Sequence, residues 1–430
     1  MHVFFSGIGG TAIGPLALIA KQAGYRVSGS DKQSSEYTEY LKKQGVDGFH
    51  IGQTAAQISA IHDKHPIDWL VYSSAVAMEQ EQPAELAFCE QNNIKISKRD
   101  EFIAHFIEAN QLNMIAIAGT HGKTTTTAMT IWLLQQLDVP VSFSVGAKIS
   151  FGAMGNYDPS SKYFVYEADE YDHNFLTFHP HTSIITGIDW DHPDIYPTRA
   201  SYYNAFIQFI EKSQRSFLWQ DDAKKLSVNN NDTVTIMNKA EFTNTSQLIG
   251  RVNRENASIV GCAIQSIADN AAVNELITLL DNFPGVSRRF EKIAANIYTD
   301  YAHTPEKIRG ALQTAKETTQ GKKIVVVYEG LHNTRQHFIK DELSDLFQGA
   351  SKVYVVPSYR AREDESLEDL TPDKLATIID KSVDPEPATL NNQLQQIISH
   401  HAEAGDLVLC LSAGGGGSLD EWLRQQFDTN

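Results

Sequence analysis

Apolar residues in this chain come in short runs, each long enough for one buried strand. Each run breaks into glycine-rich or acid-rich residues before a helical pattern begins. Met114-Ile115-Ala116-Ile117-Ala118 is one such run. It ends in Gly119-Thr120-His121-Gly122, and from Lys123 a helical pattern continues through Met129, Ile131, Trp132, Leu133 and Leu134. Strands are likewise expected at 2–7, 25–30, 68–76, 94–96, 163–166, 182–186, 297–301, 323–328, 352–356 and 406–411. Helices follow from about Gln82, Pro305, Arg335, Pro372 and Asn391. Strand–helix alternation predicts an α/β protein with parallel sheets covered by helices. The polar link Glu108-Ala109-Asn110-Gln111 and the turn Phe283-Pro284-Gly285 divide it into three expected domains, 1–110, 111–281 and 282–430. These are a Rossmann-like N-terminal domain, a central P-loop ATPase-like α/β domain and a Rossmann-like C-terminal domain. The polar, Asn-rich stretch 221–245 is expected to be loop, and a helix is expected over 257–267, led by Asn253 and Asn256 as candidate caps.

Chemistry concentrates where these strands end. Strand, glycine turn, Lys-Thr and helix is the arrangement that holds nucleotide phosphates: backbone N–H groups close around the anion and the helix N-terminus adds positive potential. Lys123 would reach the terminal phosphates and Thr124 a magnesium ion. The loop Gly119-Thr120-His121-Gly122-Lys123-Thr124-Thr125 is a shortened variant, because Ile117 stands where the usual pattern has its first glycine. Two acid runs, Glu167-Ala168-Asp169-Glu170-Tyr171-Asp172 and Asp189-Trp190-Asp191-His192-Pro193-Asp194, each follow a strand, as magnesium-dependent phosphoryl transfer requires. At the N-terminus, Gly7-Ile8-Gly9-Gly10-Thr11-Ala12 is a dinucleotide-type fingerprint, with Asp31 after the next strand as a ribose-binding acid. That fingerprint does not separate NAD from a nucleotide sugar. Ser30, Ser73 and Ser74 would face the same crevice. The adjacent Arg288 and Arg289 suit either a phosphate clamp or the surface, and the run Gly414–Gly417 either an anion or a turn with Ser418 as N-cap.

Bulk properties narrow the field. The 430 residues carry a formal net charge of −17, which excludes a general nucleic-acid binder. A hydrophobic content of 42% and a charged content of 21% are those of a globular protein. Cys89, Cys262 and Cys410 lack metal-ligand spacing, and no leader or membrane-length apolar run is evident. A cytoplasmic protein is expected, a monomer or weak homodimer.

In this order the motifs resemble the Mur ligase family of peptidoglycan synthesis, over nearly the whole chain. The resemblance rests on Gly7-Ile8-Gly9-Gly10, Ser28-Gly29-Ser30-Asp31, Ala118 to Thr127, Glu167-Ala168-Asp169-Glu170, Asp191-His192, Asn253 with Asn256, Arg288-Arg289-Phe290-Glu291, and Asp300-Tyr301-Ala302-His303-Thr304-Pro305. It implies ATP and magnesium (or manganese) as cofactors and UDP-N-acetylmuramate as acceptor. Domain one would bind the UDP-sugar through Gly7, Gly9, Gly10, Thr11, Ser30, Asp31, Ser73 and Ser74. Asn253 would meet adenine, and Arg289 and Asp300 would complete the ATP site on closure of the third domain. Thr124, Glu167 and His192 would hold metal, and Tyr301, His303 and Arg335 would meet the incoming amine. Lys123, Glu167, His192 and His303 are the expected catalytic residues. The region 204–208 lacks the lysine that sister branches carbamylate, which leaves the alanine-adding and tripeptide-recycling branches. L-alanine is the expected amine. Glu329-Gly330-Leu331-His332-Asn333-Thr334-Arg335, where Arg335 alone matches the alanine pattern, keeps the tripeptide open. An NAD-dependent oxidoreductase is the reading from another class.

Overall fold

The computed structural model describes residues 1–430 except 47, 74–75, 77–82, 243–244, 269–270, 359–362, 365, 413–416 and 428–430, and except the side chain of Glu36. Ser74, Gln82 and most of the C-terminal glycine run therefore lie outside the described residues. The chain divides into two compact units, Met1–Ser246 with Asn256–Pro284, and Gln247–Glu255 with Gly285–Asn430.

The first unit contains two sheets. In the N-terminal one, β1 (His2–Ser6), β2 (Arg26–Asp31), β3 (Phe49–Ile51), β4 (Trp69–Tyr72) and β5 (Lys95–Lys98) lie in the order β3-β2-β1-β4-β5, all parallel. β1 is buried along its whole length, as a central strand covered on both faces must be. Its helices are α1 (Gly14–Gln22), α2 (Glu36–Lys43), α3 (Ala55–Lys64), α4 (Ala84–Gln91) and α5 (Arg99–Ala109). Ser35 and Thr54 accept backbone N–H bonds at the starts of α2 and α3, two N-caps that fix where those helices begin.

The central sheet has β6 (Asn113–Ala118), β7 (Val141–Ser144), β8 (Gly155–Asn156), β9 (Tyr163–Glu167), β10 (Thr182–Ile185), β11 (Arg215–Trp219) and β12 (Val234–Met237). They run in the order β12-β11-β10-β6-β9-β7-β8, with only β8 antiparallel. Its helices are α6 (Lys123–Gln136), α7 (Arg199–Lys212), α8 (Gln220–Leu226), α9 (Arg251–Gln265) and α10 (Val273–Leu280). The stretch expected to be loop thus contains α8 and β12. Its apolar pattern is too short to show, but Ala223, Leu226, Val234 and Met237 are all buried. α9 begins six residues before the expected 257 and leaves Asn253 and Asn256 inside the helix, not at its cap.

The two sheets of this unit meet along α1 and β8. Phe106 of α5 packs edge-on against Tyr157 at 5.3 Å, and the Tyr157 hydroxyl donates to Asn110 at 3.0 Å. Gly155 lies so close to α1 that a Cβ there would sit 2.5 Å from the Pro15 carbonyl oxygen.

In the second unit, β13 (Glu291–Ala294), β14 (Ile297–Asp300), β15 (Ile324–Glu329), β16 (Lys352–Val356), β17 (Pro385–Pro387) and β18 (Leu407–Leu411) form the order β13-β14-β18-β15-β16-β17. It is parallel apart from β13. The helices are α11 (Pro305–Thr319), α12 (Asn333–Ile339), α13 (Pro372–Ile378), α14 (Asn392–Glu403) and α15 (Leu419–Phe427). Alternate residues of β15 and β18 feed separate cores on the two faces. Val326, Tyr328, Leu409 and Leu411 enter one, and Val325, Val327, Val408 and Cys410 the other. Ser418 does not cap α15, since its buried hydroxyl has no partner among the described residues. The Glu329 carboxylate takes the Leu419 N–H instead, at 3.3 Å.

Gly155→Ala should loosen the seam between the two sheets of the first unit. The expected cost is about 1–3 kcal/mol, read as a fall of roughly 2–8 °C in the calorimetric melting temperature. An unchanged melting temperature would contradict the close packing at Pro15.

Candidate active site

The parallel register of the central sheet assembles the site. β6 lies between β10 and β9, with Ala118 opposite Ile185 and Ile117 opposite Glu167, so both acid runs leave their strands at the end where β6 meets its loop. The loop is tightly held. The Thr120 N–H donates to the Gly187 carbonyl at 2.8 Å, and the Thr120 hydroxyl donates to the Asp189 carbonyl at 2.7 Å. The Thr186 hydroxyl donates to the His121 carbonyl. Gly119 has φ 137°, and a Cβ there would meet the Thr186 hydroxyl at 2.4 Å, so only glycine fits. Gly122 opens α6 from a left-handed conformation.

Four threonines are poor helix formers, but tertiary burial overrides this: Thr124, Thr126 and Thr127 are buried, and the Thr127 hydroxyl donates back to the Lys123 carbonyl at 2.9 Å. Thr125 is half-buried.

Lys123 donates to the Gly119 carbonyl and to the Glu170 carboxylate, both at 2.6 Å. Burial pulls its pKa down, yet the carboxylates of Glu170, Asp169 and Glu167 outweigh that and raise it, so the ammonium stays charged. Glu170 is 1% exposed and also receives the Tyr202 hydroxyl at 3.3 Å. Thr124 donates to Glu167 at 3.0 Å, and the Gly146 N–H approaches the other Glu167 oxygen at 3.3 Å. The two glutamates of one acid run thus have different partners, Glu167 the threonine and Glu170 the lysine. His121 lies 3.6 Å from Asp189. His192, at φ 56°, packs its ring edge-to-face on Tyr171 at 4.9 Å, and its buried Nδ1 has no partner among the described residues.

At the N-terminal crevice, the Gly7 and Ile8 N–H groups both donate to the Ser30 carbonyl at 2.9 Å, and Gly9 donates to Asp31 at 2.8 Å. Gly10 and Thr11 are exposed, Ser30 is buried and Ser73 half-buried beside Gly7. Beneath the loop lies Glu85, a residue its sequence context does not mark. It is 1% exposed and accepts the Ser6 hydroxyl at 2.6 Å. Burial pushes its carboxyl upward against the lowering effect of the Ser30 and Ser6 hydroxyls.

The second unit brings together Arg288, Arg289, Asp300, Tyr301 and His303. Asp300 accepts the Phe290 N–H at 2.7 Å, both guanidiniums lie over the Tyr301 ring, and His303 Nδ1 is 3.1 Å from the Tyr301 carbonyl. Arg288 pairs at 3.3 Å with Asp420 of α15, a partner too far along the chain for any local motif to reveal. Asn253 belongs to this unit and donates to the Ile249 carbonyl at 2.8 Å. Asn256, in the first unit, is the asparagine beside the phosphate loop, leaving 3.3 Å for a Cβ at Gly122. Arg335 is half-buried on α12, whose first N–H groups, those of Asn333 and Thr334, go to the Glu363 carboxylate at 3.1 Å each. Among the described residues no three His, Cys, Asp or Glu side chains form a metal cluster, and no helix is long and apolar enough to cross a membrane.

Three family models cover most of the chain. The catalytic domain of the Mur ligase family matches residues 2–111, the Mur ligase middle domain 117–249, and the Mur ligase glutamate ligase domain 288–414. A UDP-N-acetylmuramate–L-alanine ligase of Caldicellulosiruptor bescii is 30% identical, over 96% of this chain and 95% of its own. One from Clostridium perfringens is 28% identical over the same shares. The crystal structure of a UDP-N-acetylmuramate–alanine ligase from Thermotoga maritima superposes with a TM-score of 0.77 at 25% identity, covering 99% of this chain and 98% of that one. A murein peptide ligase from Psychrobacter arcticus shares the fold at a TM-score of 0.62 and 22% identity, over 96% of each chain.

Asp300 supplies a test by titration. Burial raises its carboxyl to about 6, against the lowering pull of Arg289 and the Phe290 N–H. The folded state therefore holds this proton where the unfolded chain has lost it, and stability falls as pH rises from about 4 to about 6. Asp300→Asn should flatten that part of the stability–pH curve in denaturant titrations. An identical decline in the variant would contradict the assignment.

Proposed function

The chain belongs to the Mur ligase family, and from that footing we propose that it joins L-alanine to the lactyl carboxylate of UDP-N-acetylmuramate, driven by ATP. The observation that carries the chemistry is the half-buried Lys123 ammonium at the mouth of the phosphate loop, with Thr124 and Glu167 paired beside it at 3.0 Å. The amine is taken from relatives of matching length that are named for L-alanine. Tripeptide recycling is the competing outcome of the test below.

A lactyl carboxylate oxygen would attack the γ-phosphorus as the bond to the β,γ-bridging oxygen breaks, releasing ADP and forming an acyl phosphate. The amine nitrogen would then attack the acyl carbon. Loss of the amine proton and departure of phosphate leave the amide. Loop N–H groups and Lys123 would neutralise charge on the migrating phosphoryl group, and such electrostatic stabilisation is usually the largest source of rate in these transfers. The Thr124 hydroxyl and Glu167 carboxylate are hard oxygen donors and fit magnesium, and the His192 Nδ1, without a partner among the described residues, is a further donor. When bound, magnesium supplies charge neutralisation on the phosphate oxygens. Gly7, Gly9, Asp31 and Ser73 would hold the UDP-sugar, while Tyr301, His303 and Arg335 would meet the amine.

The test is phosphate release from MgATP with UDP-N-acetylmuramate, offering L-alanine, L-serine, glycine or L-Ala-γ-D-Glu-diaminopimelate in turn. Release that requires both the UDP-sugar and L-alanine is expected. Release with the tripeptide alone would overturn the choice of amine, and silence with every amine would sink the proposal. Lys123→Met should lower kcat by roughly 10²–10³-fold.

A further inference from the structure

Residues 186–190 follow β10 outside any strand pairing, yet they form one wall of the phosphate loop. β10 and β11 end level, with Ile185 opposite Leu218, and β11 runs directly into α8. The chain leaving β10 therefore meets α8 where a strand would otherwise lie. Both backbone groups of Ile188 are taken by side chains of that helix. The Ile188 N–H donates to the buried Asp222 carboxylate at 3.1 Å, and its carbonyl accepts from Lys225 Nζ at 2.5 Å. The ammonium also donates to Asp222 at 3.0 Å and to the Asp189 carboxylate at 3.1 Å.

Helix electrostatics accounts for acids in the first turn of α8 and lysines in its last, but not for these bonds. Lys224 and Asp221, the equivalent pair one position earlier, are both exposed and lie 3.8 Å apart. Lys225 instead spends two of its three bonds outside the helix, on consecutive residues of the turn.

That turn holds the loop. The Thr120 N–H bonds the Gly187 carbonyl, the Thr120 hydroxyl bonds the Asp189 carbonyl, and the Asp189 N–H returns to that hydroxyl at 2.9 Å. One oxygen of the Asp189 carboxylate takes Lys225, and the other lies 3.6 Å from His121 Nε2. Ile188 stands between the two residues that bond Thr120, so a shift of Ile188 moves both. The loop binds phosphate through the directions of its N–H groups, which small displacements spoil.

We propose that Asp222 and Lys225 are positioning residues for nucleotide binding, which fix the turn 187–189 and through it Thr120 and His121 of the phosphate loop. Neither side chain touches nucleotide or a reacting atom in this role. The proposal rests on the ATP-dependent reading of the loop, and adds to it a helix from a stretch whose sequence pattern marks only loop.

The experiment compares Lys225→Met, Asp189→Ala, the double variant Lys225→Met/Asp189→Ala and, as a control, Lys224→Met. Calorimetry at a temperature well below melting gives the affinities for MgATP and for UDP-N-acetylmuramate, and phosphate release gives kcat and KM. Lys225→Met should weaken MgATP binding and raise KM for ATP by roughly 5–30-fold. Its kcat and its UDP-sugar affinity should stay within about threefold of wild type. Lys224→Met should bind MgATP within about twofold of wild type. The double variant should bind MgATP more tightly than the product of the two single losses predicts, because both changes act on one turn.

A merely structural brace would lower the melting temperature and leave MgATP affinity unchanged, which would overturn the proposal. A double variant at the product of the single losses would overturn the route through the turn. Should Lys225→Met fail to fold, Asp189→Ala decides, since that side chain is half exposed; unchanged MgATP affinity there counts against the proposal. Wild-type protein that does not bind MgATP would refute the reading of the loop and this inference with it, whereas tight wild-type binding with an unaffected Lys225→Met refutes the inference alone.

Discussion

A single ammonium group sets the terms of the first unit. Lys123 lies at the first position of α6 with its Nζ 2.6 Å from both the Gly119 carbonyl and the Glu170 carboxylate. A lysine partly withdrawn from water keeps its charge only where opposing charge outweighs lost hydration. The acid run after β9 supplies that charge, and it can do so only because β9 is hydrogen-bonded parallel to β6 and ends at the same level. Glu170 is held in turn by Tyr202 of α7, whose hydroxyl lies 2.8 Å from the Thr120 hydroxyl in the loop itself. Loop, acid run and helix form one polar network, and the lysine brings to it a charge that suits a phosphate.

The consequence is a division of labour among like residues. Glu167 is still on the strand and accepts from Thr124 of α6, whereas Glu170, three residues later in the turn, reaches the lysine. Asp169, between them, takes the Arg99 guanidinium. One short acidic stretch thereby serves a hydroxyl, an ammonium and a guanidinium. Each of these carboxylates has a partner, which is the condition for keeping so many charges near a partly buried site.

Much of this was legible in the chain. The strand–glycine–Lys-Thr–helix order, the two acid runs and the glycine fingerprint all fall at strand ends in the structure, because short buried runs followed by helical patterns favour parallel pairing. What escaped was whatever depends on contacts distant in sequence. Nothing local distinguishes Glu167 from Glu170, or Asn253 from Asn256, until a second element is placed beside them. Glu85, Arg99 and Glu363 stand in ordinary helical or loop sequence, and they acquire a role only from Ser6, Asp169 and the start of α12. Weakly patterned residues failed for a different reason: β12 has only four residues, too few for alternation to emerge from an Asn-rich stretch.

Oxygen transfer tests the central claim most directly. UDP-N-acetylmuramate labelled with ¹⁸O in the lactyl carboxylate would be turned over with MgATP and L-alanine, and the phosphate released would be examined by mass spectrometry. Attack of that carboxylate on the γ-phosphorus, followed by amide formation at the acyl carbon, leaves one labelled oxygen in each phosphate. Phosphate without label, or formation of AMP and pyrophosphate in place of ADP, would contradict an acyl phosphate formed at the Lys123 loop.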